Sequence, residues 1–168
     1  MIYKFLVCIF CWVIGFYISI SRVIAIDRYN LNFEFSLKFV FKDFIFVLSN
    51  NLGVAILLLV LGYFSFGFFT LLLSVYNGYL LGIISHFYLL ENEVSTLLLN
   101  LKHAPSEIIA LCIFGAIGLN GYSYNLKLKT LDEFLHLIRS YKNHIFFALT
   151  LLILSAYIET SVNLNSIK

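Results

Sequence analysis

Charge is scarce in this chain. Its 168 residues hold 11 Lys and Arg against nine Asp and Glu, so 12% are charged, whereas soluble domains carry about 25%. The net charge of +2 is dispersed and forms no basic run, which removes nucleic acid from the partners to consider. There is one proline, Pro105, and no Pro-rich linker, repeat or low-complexity tract divides the sequence. No H-E-x-x-H or G-x-S-x-G motif occurs, so neither a zincin helix nor a nucleophile elbow is present. Cys8 and Cys11 form a C-x-x-C, but its apolar surroundings give little polar support to a disulfide framework or a thiolate metal site. Cys8 and Cys11 lie inside the apolar run FLVCIFCWVIGFYISI and Cys112 in a second one, where they read as small buried residues.

What fills the chain instead is apolar surface. Hydrophobic residues make up 61% and aromatics 18%, with a mean hydropathy of +0.95. Twenty charged side chains cannot cover a domain of this size in water, whereas lipid requires no such cover. The composition predicts an integral membrane protein.

A spanning helix takes about 20 apolar residues. Phe5 to Ile26 meets that length, and its long core and weak exit Val23-Ile24-Ala25 suit an uncleaved first span better than a signal peptide. Leu31 to Ser49 interleaves aromatics with Glu34, Lys38, Lys42 and Asp43, the pattern of a helix lying along the interface, with Asn50 and Asn51 marking the turn inward. Gly53 to Leu90 is 38 residues of nearly continuous apolar chain, too long for one crossing. The break falls in GYFSFGFF, residues 62–69, giving a second span and a third from about Phe68 to Leu90. Pro105 to Gly121 is a short fourth segment of 17 residues. Tyr122 to Asn143 has apolar residues at helical spacing and reads as a second interfacial helix; His144 to Ser161 is the fifth span.

The expected architecture is thus an all-α polytopic membrane bundle and a single domain over residues 1–168. It has about five transmembrane or re-entrant helices and two interfacial amphipathic ones. Basic residues do not orient it. Arg22, Arg28, Lys38 and Lys42 flank one interfacial segment and Lys127, Lys129, Arg139 and Lys142 the other, and five full spans put these on opposite faces. Unless the bias is indecisive, one segment is re-entrant, and the short fourth one is the natural suspect.

Ionisable and amide side chains inside such segments call for a reason. Asn77 opens NGYLLG, where Gly78 and Gly82 form a G-x-x-x-G that admits a second helix, with the Asn amide free to bond across the contact. His86 follows one turn later and reads as a residue near an interface rather than a ligand. In LKHAPSE, Pro105 suits the first helical position, which would make Glu107 a cap for free N–H groups. Ala104 is a poor N-cap, however, and His103 and Glu107 at i and i+4 share a face if the helix begins earlier. Glu159, in SAYIETS, lies near a helix C-terminus, where the dipole disfavours negative charge. It either snorkels to the interface or joins His103 and Glu107, since one His and two carboxylates can bind a divalent metal such as zinc or share a proton.

These motifs in this order, FVLSNN, an apolar hairpin, NGYLLG, HAPSE and SAYIET, resemble the stage II sporulation protein M-like membrane family over about Phe44 to Ser161. Asn51, Asn77, Gly78, His103, Glu107 and Glu159 match the family's polar positions, while Ala104 stands where the family has Gly. The resemblance implies a polytopic helical fold in a bacterial cell membrane. It also implies one of two roles. In the first, the protein assists the processing, circularisation or export of a hydrophobic bacteriocin-like peptide, with His103, Glu107 and Glu159 as the catalytic or metal-binding centre and Asn51 and Asn77 in support. In the second, it is a non-catalytic scaffold that recruits cell-wall hydrolases. The partners that follow are membrane lipid, a hydrophobic precursor peptide or transporter subunits, and further copies of the chain.

Overall fold

The computed structural model describes residues 1–23, 41–90, 98, 101–121 and 130–165, without the side chains of 22–23, 87–90 and 162–165. Among the described residues it contains helices and no strand. The helices are α1 (Ile2–Val23), α2 (Phe41–Phe64), α3 (Phe68–Leu90), α4 (Ala104–Gly118) continued by a 3-10 turn at Leu119–Gly121, α5 (Leu131–Ser140) and α6 (Lys142–Asn165). Five of them, α5 excepted, are long and apolar enough to cross a membrane.

The α2–α3 break falls where Gly62, Ser65 and Gly67 cluster in the sequence. The Gly67 N–H donates to the Gly62 carbonyl at 2.7 Å and the Phe66 N–H to the Tyr63 carbonyl at 3.4 Å, the pair of bonds that closes a Schellman motif. Phe66 has φ +57° and Gly67 φ +89°, so two residues in the left-handed region reverse the chain. The Ser65 hydroxyl then accepts the Phe69 N–H and starts α3.

Backbone proximity decides how the helices pair. Gly15 on α1 faces the Val75 carbonyl, Gly78 on α3 faces the Trp12 carbonyl, and Gly82 lies against Phe16 and Ser19. Contacts advance in the same direction along both helices, so α1 and α3 run parallel and touch backbone to backbone. The G-x-x-x-G therefore has its partner, and it is α1. A Cβ added at Gly78 would collide with main chain rather than with a side chain that could rotate away.

α4 is the centre of the bundle and touches α1, α2, α3 and α6. Its apolar residues occur all round the helix, which commits the whole circumference to burial. Two thirds of its span, 67%, is buried, against 22–28% in the other four, whose outer faces carry exposed residues such as Phe10, Tyr17, Phe46 and Phe146. Its fifteen α-helical residues at about 1.5 Å each and three 3-10 residues at about 2.0 Å each reach about 28 Å, close to the roughly 30 Å of a hydrocarbon core. It begins beside the end of α6 and finishes beside the start of α1, where the Lys4 ammonium donates to Asn120 Oδ1 at 2.6 Å. The fourth segment thus traverses the bundle from one end to the other, against the suspicion that it turns back.

Two expectations need correction. Residues 41–49 are not part of an interfacial helix, and Asn50 and Asn51 do not turn the chain: Phe41–Phe64 is one continuous helix. Asp43 in its first turn suits the positive end of the helix, and Asn51 is buried within the bundle, where an amide can face protein instead of lipid. Residues 31–40 of that expected interfacial helix lie outside the described residues. Of the second expected interfacial segment, Tyr122 to Asn143, residues 131–140 form the helix α5, and residues 122–129 lie outside the described residues. Thr130 and Glu133 make a capping box, each side chain bonding the other's N–H at 3.3 Å, and Phe134 lays its ring 5.3 Å from Tyr63 and 5.5 Å from Phe64.

Candidate functional site

The polar residues of LKHAPSE and SAYIET are brought together by the antiparallel packing of α4 and α6. His103 is the N-cap of α4 by position, and Ala104 and Pro105 are its first two helical residues. The helix starts one residue earlier than Pro105 alone would suggest. That shift puts His103 and Glu107 one turn apart on the same face, with the Glu107 N–H donating to the His103 carbonyl at 3.2 Å. The same carbonyl accepts the Ser106 hydroxyl at 2.7 Å and, from α6, the buried Ser155 hydroxyl at 3.3 Å. Ser155 is four residues before Glu159, so the bond that ties the two helix ends also aims Glu159 at α4.

The result is a three-residue cluster. His103 Nε2 lies 3.8 Å from Glu107 Oε2 and 3.7 Å from Glu159 Oε2, and one ligand atom from each residue can be chosen so that all lie within 4.8 Å of one another. The side chains are partly buried, with relative exposures of 17%, 22% and 33%. Among the described residues no Lys or Arg forms an ion pair with either carboxylate. The separations exceed a hydrogen bond. Three groups able to take or give protons, or to bind a cation, therefore face a common point without being bonded to one another.

Glu107 is accordingly not the cap that Pro105 suggested: its carboxylate bonds no backbone N–H among the described residues, because it turns towards His103. The remaining candidates behave differently. Asn77 donates its amide to the Leu73 carbonyl of its own helix at 2.8 Å, and among the described residues no bond from it across the α1–α3 contact is found, where glycine backbone packs. Asn51 is buried, and its Nδ2 has no hydrogen-bond partner among the described residues. His86 and the three cysteines are not among the converging groups, and the cysteines are free. Sequence reasoning missed Ser155, although its i, i+4 spacing to Glu159 was visible, and it missed the bond between Lys4 and Asn120.

Neither a search of curated proteins nor one of solved structures returns a match. The family model of stage II sporulation protein M, by contrast, matches residues 1–162, which extends the resemblance through the first span. With five membrane-crossing helices and a match over nearly its whole length, this multi-pass membrane protein belongs to the stage II sporulation protein M family.

Proposed function

We propose that this protein assists the maturation or export of a hydrophobic peptide within the membrane, through the centre formed by His103, Glu107 and Glu159. One observation carries the reading: residues 52 and 56 positions apart in sequence present an imidazole and two carboxylates, partly buried, to one point at the end of an otherwise apolar bundle. Holding two helix ends together requires none of this. Ser155 already ties α6 to α4 without any charge, and polar groups in a membrane are costly unless they act. The centre supplies what processing or circularisation of a peptide needs, groups that move protons at an amide, and also what export needs, a polar station for the ends of an apolar chain.

The test is Glu159→Gln, expressed beside a short apolar precursor encoded next to this gene, with membrane abundance and mature peptide measured together. The expected outcome is normal abundance and loss of mature peptide. Normal peptide would overturn the reading, and neighbouring genes for cell-wall hydrolases in place of a precursor would favour the scaffold role.

A further inference from the structure

We infer that His103, Glu107 and Glu159 bind one divalent transition-metal ion, zinc before magnesium, and that the ion joins α4 to α6 while keeping a coordination position open. The inference rests on the reading of this centre as functional and names the ion that it works with. Three observations support it. The first is charge: two carboxylates face each other at a half-buried site with no Lys or Arg paired to them among the described residues, and a doubly positive ion offsets both. The second is spacing. Zinc–nitrogen and zinc–oxygen bonds of about 2.0–2.2 Å set tetrahedral ligand atoms about 3.4 Å apart; the two separations from His103 Nε2 are 3.7 and 3.8 Å, and one ligand atom from each residue can be chosen so that all lie within 4.8 Å of one another. The ligand atoms must draw together by about 0.3–1.4 Å to reach that spacing.

The third is how the ligands are held. The His103 backbone is fixed by three hydrogen bonds to its carbonyl, one of them from Ser155 on the ligand-bearing face of α6. The spacing at i and i+4 presents an imidazole and a carboxylate from one turn, and the third ligand comes from the facing helix. An imidazole nitrogen among the donors favours zinc, copper, iron or nickel over magnesium and calcium, which prefer oxygen ligands. Three protein ligands leave a fourth position for water or for a carbonyl of a bound peptide, the arrangement of catalytic rather than structural zinc.

The experiment is titration of the purified full chain in detergent with Zn²⁺ alone, with Mg²⁺ as control, read by calorimetry and by thermal shift. A Co²⁺ titration read by its visible ligand-field band accompanies it. The expected result is one zinc per chain, a raised melting temperature, and a cobalt band that disappears in His103→Gln. Glu107→Gln and Glu159→Gln should each weaken zinc by more than about 100-fold, since losing even an outer-shell partner costs about 10- to 100-fold. Glu159→Asp, which keeps the charge, serves if a Gln variant fails to fold and should bind measurably but more weakly. Absence of saturable binding in the wild type, or equal binding in wild type and variants, overturns the inference. The two readings fail separately. Zinc binding with normal peptide maturation in Glu159→Gln cells would overturn the peptide role and keep the metal; blocked maturation in a chain that binds no metal would do the reverse.

Discussion

Ser155 and His103 show how one small hydroxyl positions a charged centre. The Ser155 bond to the His103 carbonyl joins residues 52 apart, yet that carbonyl also accepts the Glu107 N–H and the Ser106 hydroxyl, so it is not orphaned when one donor goes. Ser155→Ala should therefore cost only about 0.5–1 kcal/mol, the usual net value of one such bond. A small fall in melting temperature in detergent checks this, and a loss of several kcal/mol would mean that Ser155 does more than tie the helix ends. The polar trio itself was readable from residue chemistry, because a carboxylate at a helix C-terminus and a His four residues before a Glu are locally unfavourable or unneeded. Their convergence was not. It depends on the antiparallel register of α4 and α6, which involves residues more than 50 positions apart. The same limit applies to the two readings of Glu107: Pro105 and Glu107 look like a cap locally, and Glu159 arriving from another helix decides for the shared face with His103.

At the scale of elements, apolar length and glycine position carried most of the information. The third span, Phe68–Leu90, has the limits expected from the turn residues before it, and NGYLLG is a helix contact as its spacing implies. The start of α2 was misjudged because Lys42, Asp43 and the Asn pair look interfacial by composition, whereas burial inside the bundle lets Asn51 sit mid-helix. The α1–α3 contact yields a sharp contrast between two glycines. At Gly78 a Cβ would meet the Trp12 main chain, so α1 must move outward to accept it. Gly78→Leu should cost at least about 1–3 kcal/mol, the penalty for overpacking an unyielding contact. At Gly53 on α2 a Cβ meets nothing within 4 Å. Gly53→Ala should stabilise by about 0.5–1 kcal/mol, because it removes the conformational entropy of a helical glycine. Paired unfolding curves of the two variants in one detergent measure both, and equal effects would contradict the close α1–α3 approach.

For the whole molecule, the decisive question is which parts share a side of the membrane. Lys4 meets Asn120 at the end of α4, and α5 packs its Phe134 on Tyr63 and Phe64 at the end of α2, so the start of α1, the α2–α3 turn and α5 gather at one end of the bundle. His103, Glu107 and Glu159 lie at the other. Because α4 runs between those ends at about 28 Å, five crossings follow, and the basic residues of the two flanking segments must divide between opposite faces. Their numbers balance, which is why charge alone could not orient the chain. Sidedness can be measured directly in a chain whose Cys8, Cys11 and Cys112 are replaced by Ala and which then carries one introduced cysteine. Lys102→Cys, exposed beside His103, and Arg139→Cys, exposed on α5, should react with a membrane-impermeant maleimide from opposite sides of sealed vesicles. If both label from the same side, α4 turns back within the membrane and the five-crossing bundle is wrong. If they label from opposite sides, the side that reaches Lys102 is the one from which a peptide or metal ion enters the His103 centre.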